Sequence, residues 1–264
     1  MEHASDRLNP VALITGAASG IGAALARRLA PRATGGLILI DHNSAALGAA
    51  ADAMEQPPER VSTLTFDVSD PDRWRDCADF INAQYGRLDY AVANAGIAHA
   101  ASIADHDFED WRRVMAVNLD GVFLTLQTAI PLMRQNAQGG AIVVVASAAG
   151  LKPEPGIAAY GASKAGVLQL ARIAAKEAAA DNIRVNCVAP GGVETPIWDG
   201  VPMFQELIAE TGSREAAFAR MAEMATPLRY YATADDIARN IDMLLTDPSP
   251  ITGATLVIDG GYTL

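Results

Sequence analysis

The chain has 264 residues, half of them hydrophobic and 19% charged, which is enough apolar material for a sizeable core and excludes general disorder. Its formal net charge of -11 would repel phosphate backbones and anionic lipid surfaces, so neither nucleic acid nor a membrane is expected as a partner. Two cysteines, Cys77 and Cys187, supply no disulfide framework and no metal spacing; two buried thiols in a reducing, cytoplasmic compartment are expected. Met1 to Asn9 is polar and lacks the basic flank and apolar run of a signal peptide, and no uncharged apolar stretch reaches the ~18 residues of a span.

In chain order, strand-length apolar runs alternate with segments of helical period. Val11–Thr15, Leu37–Ile40, Val61–Phe66, Tyr90–Ala93, Ala141–Ala146, Arg184–Val188 and Thr255–Ile258 read as strands, several of them continuously apolar as in parallel strands covered on both faces. Between them, Ile21, Leu25 and Leu29 share one helical face, and Trp74, Cys77, Ala78, Ile81 and Tyr85 share another. The alternation predicts an α/β fold, a parallel sheet with helices on both sides, in one domain spanning 1–264 with a tail over 1–10. Residues 194–227 break the rhythm, with helical pieces at Met203–Glu210 and Arg214–Met224. A late insertion of this kind reads as a substrate lid, with a plain surface excursion as the alternative.

The first strand runs into Gly16-Ala17-Ala18-Ser19-Gly20-Ile21-Gly22 and then a helix. Such glycines permit a tight turn, close backbone approach to a pyrophosphate and close helix–sheet packing, with the diphosphate facing the helix N-terminus. The spacing G-x-x-x-G-x-G differs from the general G-x-G-x-x-G signature, so a mere strand-to-helix turn stays open on this feature alone. Asp41, ending the second strand, can bond the adenosine ribose hydroxyls and would repel a 2′-phosphate. No Arg or Lys lies within 16–22 or 41–44, which favours NAD over NADP. A simple turn residue before Asn43 is the alternative reading of Asp41. Asp67, with Val68 after it, is a weaker candidate for the adenine edge.

Tyr160 and Lys164 stand four apart, on one face of a helix, and Ser147 ends the strand before them. A free phenol titrates near ~10, and a nearby ammonium would favour the phenolate needed of a base. Ser147 can bond a substrate oxygen while Tyr160 exchanges its proton. Asn118 interrupts the helical stripe Trp111, Met115, Val122 and Leu126, so it points inward, as a site residue or as a satisfied core amide.

Together, Thr15 to Gly22, Asn94-Ala95-Gly96, Asn118, Ser147, Tyr160 with Lys164, Pro190-Gly191 with Thr195, Ile251-Thr252-Gly253 and Asp259-Gly260-Gly261 resemble the short, single-domain type of short-chain dehydrogenase/reductase, over nearly the whole chain from Val11. The resemblance implies a Rossmann-type doubly wound sheet of seven strands in the order 3-2-1-4-5-6-7. It also implies an Asn-Ser-Tyr-Lys catalytic set, here Asn118, Ser147, Tyr160 and Lys164, acting on a secondary alcohol or ketone. Tyr160 would be the acid/base, and Ser147 would orient the substrate. Lys164 would lower the tyrosine pKa and bind the nicotinamide ribose, and Asn118 would hold a water. Asn94, Ala95 and Gly96 would line the cofactor cleft beside Pro190 and Gly191, with Val193 and Thr195 meeting the nicotinamide amide or diphosphate. The family also implies a homotetramer. Substrate contacts are expected from Leu151 and Pro155 and from the lid residues Trp198, Met203, Phe204 and Leu207, whose apolar character suggests a neutral, partly hydrophobic substrate. His99 reads as a surface residue rather than a pocket residue. The alternatives are an NADPH-type 3-oxoacyl-carrier-protein reductase, disfavoured by Asp41 and the net charge, and a dinucleotide sensor without turnover, disfavoured by the complete catalytic set.

Overall fold

A computed structural model of the chain describes residues 8–264; most of the expected tail lies outside the described residues. Seven parallel strands form one sheet in the order β3-β2-β1-β4-β5-β6-β7: β1 Val11–Thr15, β2 Gly36–Asp41, β3 Val61–Thr65, β4 Tyr90–Ala93, β5 Gly140–Val145, β6 Ile183–Pro190 and β7 Thr255–Ile258. The expected strands agree to within two residues at each end. The largest gain is β6, which Pro190 can close because the strand ends there and the turn into Gly191 begins.

Successive residues of a strand face opposite sides, so continuous apolar runs build two cores at once. Leu13, Ile38 and Ile142 face one layer, where they meet Trp74 and Ile81 of α3 (Pro71–Gln84), Leu126 and Met133 of α5 (Gly121–Arg134) and Val167 of α6 (Ala158–Ala178). Ile14, Leu37, Leu39 and Val143 face the other, against Leu25 and Leu29 of α1 (Gly20–Leu29), Leu47 of α2 (Ser44–Asp52) and Ile237 and Ile241 of α9 (Ala234–Thr246). Local chemistry sets the helix starts. Asp70 accepts from the N–H groups of Asp72 and Arg73 ahead of Pro71, and Thr233 and Asp236 form a reciprocal capping box.

Two features depart from the expected pattern. The helix bearing Asn118 is not regular: α4 (Phe108–Met115) and α5 are joined by a π turn at Ala116–Asp120, within which Asn118 is fully buried. The combined run Phe108–Arg134 is also long and apolar enough, by composition, to cross a membrane. Asp120 interrupts it, and Val122, Leu126, Leu132 and Met133 are buried against the sheet, as in a core helix.

The insertion after β6 folds as α7 (Pro202–Thr211) and α8 (Arg214–Ala225) around a small core of its own. Phe204 stacks obliquely on Phe218 at 4.5 Å, Trp198 lies parallel to Tyr231 at 6.4 Å, and the Arg214 guanidinium caps both phenylalanine rings. Strand order reverses between β1 and β4, and in open α/β sheets the crevice at the strand C-termini at such a point is where ligands bind.

Candidate active site

The glycine turn is shaped by β1 and by the loop after β4. Gly16 and Gly20 take left-handed backbone angles (φ +64° and +52°). A Cβ on Gly16 would sit 2.8 Å from the Asn94 amide nitrogen, and one on Gly22 would drive into the Gly16 carbonyl, so this backbone tolerates no side chain. Asn94 Nδ2 donates to the carbonyls of Thr15 (2.9 Å) and Gly16 (3.1 Å), while Thr15 Oγ1 accepts from the backbone N–H groups of Asn94 and Ala95. Asn94 and Ala95 therefore act by fixing the turn, and Thr15, a strand-end hydroxyl that the sequence reading passed over, organises both.

α1 begins with no side-chain cap from Ser19 and no acidic residue in its first turn, so the N–H groups of Gly20, Ile21 and Gly22 face the crevice as donors for an outside anion. Thr195, at the start of the lid, closes the opposite side: a Cβ on Gly20 would lie 3.3 Å from its side chain. A glycine cradle between a helix N-terminus and a threonine wall fits a dinucleotide diphosphate. Asp41 Oδ2 accepts from the Ala18 N–H (3.1 Å) and Oδ1 from that of Asn43 (3.0 Å), so the turn duty and the contact with the glycine loop coexist on one carboxylate. Asp67 uses Oδ1 on Ser69 and is exposed at the crevice edge. Val68 instead buries its side chain against Gly121 and gives its carbonyl to Trp74 Nε1.

Across the crevice, Ser147 follows β5 and caps a short turn, accepting from the Ala149 N–H at 3.1 Å. The Tyr160 phenol faces Ser147; burial pushes the phenol up from its ordinary pKa, and Ser147 pulls the other way. Lys164, one turn along α6, is 3% exposed, and its Nζ lies 5.8 Å from the Tyr160 ring centre and donates to the Val145 carbonyl at 2.8 Å. Burial pushes the Lys164 ammonium down to about 8. Gly96 gives room at this point, since a Cβ there would fall 3.3 Å from Asn118 Oδ1 and 3.4 Å from Lys164 Nζ.

The Asn118 side chain is committed to protein partners. Oδ1 accepts from the Ile97 N–H (2.8 Å), and Nδ2 donates to the Ile97 carbonyl (2.9 Å) and to Ser163 Oγ (3.1 Å). Ser163 Oγ in turn donates to the Tyr160 carbonyl at 2.7 Å. Both amide protons are spent on protein partners, while Oδ1 keeps one acceptor site. Ser163 was visible in sequence only as the residue before Lys164.

The expected lid contacts divide. Met203 is 53% exposed, Leu207 is half-buried, and Leu151 and Pro155 are exposed, so all four remain available to a ligand. Phe204 is not: it is fully buried between Phe218 and Trp198 as the inner face of its helix, which corrects its assignment to the pocket. Trp198 is half-buried, with Nε1 donating to the Val193 carbonyl at 3.0 Å. Pro190 and Gly191 end β6, where Gly191 lies against Asp259. His99 lies beside Asp110 (3.3 Å) and His106 rather than against the catalytic set.

The family model described as "Enoyl-(Acyl carrier protein) reductase" matches residues 16–263. A 3-oxoacyl-[acyl-carrier-protein] reductase of Thermotoga maritima is 37% identical over 96% of this chain and 98% of its own. A cis-4-hydroxycyclohexanecarboxylate dehydrogenase of Sinomonas cyclohexanicum is 39% identical over 96% of each. The crystal structure of a carveol dehydrogenase from Mycobacterium avium in complex with NAD superposes with a TM-score of 0.88 at 30% identity, covering 96% of this chain and 97% of that one. A family model over nearly the whole chain and relatives matched from end to end show that the chain belongs to the short-chain dehydrogenase/reductase family.

Proposed function

We propose that the protein oxidises a secondary alcohol to its ketone, or runs the reverse reaction, using NAD, with Ser147, Tyr160 and Lys164 in contact with the reacting molecules. The observation that carries this reading is the grouping of Ser147 and Tyr160 with the buried Lys164, whose Nζ lies 5.8 Å from the Tyr160 ring centre, at the strand C-termini beside the glycine turn. NAD, when bound, would supply the hydride acceptor, and Tyr160 would take the O–H proton of the alcohol. Ser147 already accepts from Ala149, which leaves its own proton to hold the substrate oxygen. Lys164 spends one N–H on Val145 and has two left for the nicotinamide ribose. Because burial raises the Tyr160 phenol, the phenolate needs positive charge beside it, and Lys164 is placed to provide it. Asn118 serves this centre by fixing the Ile97 loop and, through Ser163, the turn of α6 that bears Tyr160.

Asp41 supports NAD over NADP, since a carboxylate ending β2 can bond adenosine ribose hydroxyls and would repel a 2′-phosphate. The reading extends to a single catalytic domain with a lid over 194–227, a neutral and partly apolar substrate facing Met203, Leu207 and Leu151, a cytoplasmic setting for two buried free thiols, and a homotetramer. Phe123 of α5 and Ile173 of α6, both nearly half exposed, support the assembly, which should elute at four times the 27.6 kDa chain. A 3-oxoacyl-carrier-protein reductase is the competing assignment, favoured by the Thermotoga relative and opposed by Asp41 and the net charge of -11. Initial rates at pH 8 to 9 with NAD or NADP, over neutral and anionic secondary alcohols, test the proposal. Turnover with NAD on neutral alcohols is expected. NADP preference would overturn the role given to Asp41, and reduction of carrier-bound 3-oxoacyl groups alone would favour the competitor.

A further inference from the structure

Asp259 to Leu264 lie between the Pro227-Leu228 segment and the loop that follows Ser147. On one side they meet the base of the lid: the Leu228 N–H donates to the Gly260 carbonyl at 3.1 Å, and Gly261 rests on the Pro227 ring. On the other side, Tyr262 reaches the loop that follows Ser147. Its hydroxyl donates to Glu154 at 2.5 Å, its carbonyl accepts from Lys152 Nζ at 2.9 Å, and the same ammonium sits 4.1 Å from its ring centre. Lys152 and Glu154 also approach each other at 3.8 Å, so two paired side chains hold one residue through its hydroxyl, ring and carbonyl. The turn is itself held rigid by Asp259, which accepts from the backbone N–H groups of Gly261 and Thr263 and from the Thr263 hydroxyl.

We infer that Tyr262 is a positioning residue for substrate, bracing the loop after Ser147 against the base of the lid so that the two keep a fixed separation. Lone surface ion pairs are worth little, but here each contact lands on a side chain already ordered by a second one, which lowers the entropy of holding the loop. Burial and the Glu154 carboxylate both push the Tyr262 phenol up, so it remains a donor at every working pH of the enzyme. Leu151 and Pro155, two of the exposed residues offered to substrate, flank the braced Lys152 and Glu154, whereas the glycine turn that would hold the cofactor is built from other elements. The brace should therefore act on the alcohol and not on NAD.

This inference rests on the proposed oxidoreductase activity, so its test pairs kinetics with a measurement that needs none. Tyr262→Ala, Tyr262→Phe and Lys152→Met are compared with the unmodified protein in alcohol KM, kcat, NAD affinity by fluorescence titration, and amide hydrogen exchange over residues 148–157. For Tyr262→Ala we expect faster exchange in that segment and a rise of about five- to tenfold in alcohol KM, with kcat and NAD affinity within about twofold. Tyr262→Phe, which keeps the ring over Lys152 and the backbone contact, should recover most of the KM. Unchanged exchange in 148–157, or a loss spread equally over kcat, KM and NAD affinity, would overturn the brace. Absence of turnover in the unmodified protein, with the exchange difference still present, would instead count against the proposed reaction and leave the mechanical link standing.

Discussion

At the scale of single residues, the site contains two buried groups whose charges oppose burial. The sequence placed Tyr160 and Lys164 on one helix face, and the structure adds the cost: burial raises the phenol and pushes the ammonium down to about 8. An ammonium with an ordinary pKa of 10.5 and a folded value of about 8 loses stability as pH falls from above 10.5 through 8, because the unfolded chain takes up the proton first. The penalty is complete below pH 8 and amounts to about 3 kcal/mol at most. Lys164→Met should therefore raise Tm relative to the unmodified protein at pH 7 while abolishing turnover, and the gain should vanish as pH approaches 10.5. Loss of the bond to the Val145 carbonyl will offset part of it. Melting curves across that range check the sign; a variant less stable at pH 7 than at pH 10.5, each against the parent, would contradict it.

At the scale of elements, the regular parts of the fold were legible in the sequence and the irregular parts were not, for one physical reason. Continuous apolar runs such as Leu37–Ile40 and the face Trp74, Cys77 and Ile81 announce strand and helix because burial follows a fixed period. The π turn at Ala116–Asp120 has no such signature, since it inserts one residue and leaves the apolar pattern nearly intact. The sequence put Asn118 inside, as the structure has it, but did not reveal its partners Ile97 and Ser163. Phe204 failed for a related reason, since an amphipathic lid helix does not reveal whether its apolar face meets a ligand or a neighbouring helix. Removing the Asn118 amide strands the half-buried N–H and carbonyl of Ile97, so Asn118→Ala should cost about 1–3 kcal/mol of stability by urea denaturation. A loss under ~0.5 kcal/mol would show that the π turn is held by other contacts.

At the scale of the molecule, one sheet gathers chain segments far apart in sequence: the glycine turn after β1, Asp41 after β2, Asn94 after β4, Ser147 after β5 and Thr195 after β6 all meet at strand C-termini. Motifs in order along the chain signalled this convergence, whereas the contacts that close it, Arg214 on the Thr195 carbonyl and Tyr262 on the Ser147 loop, join elements with no shared periodicity and were invisible. The central claim is that this convergence performs hydride transfer with Tyr160 carrying the proton. Its most direct test is Tyr160→Phe, measured for steady-state turnover of a secondary alcohol and for NAD affinity on the same preparation. The account predicts a loss of at least about 10²-fold in kcat with NAD affinity within a few-fold of the parent. Turnover surviving near the parent rate would contradict it, and would move the acid/base role away from Tyr160.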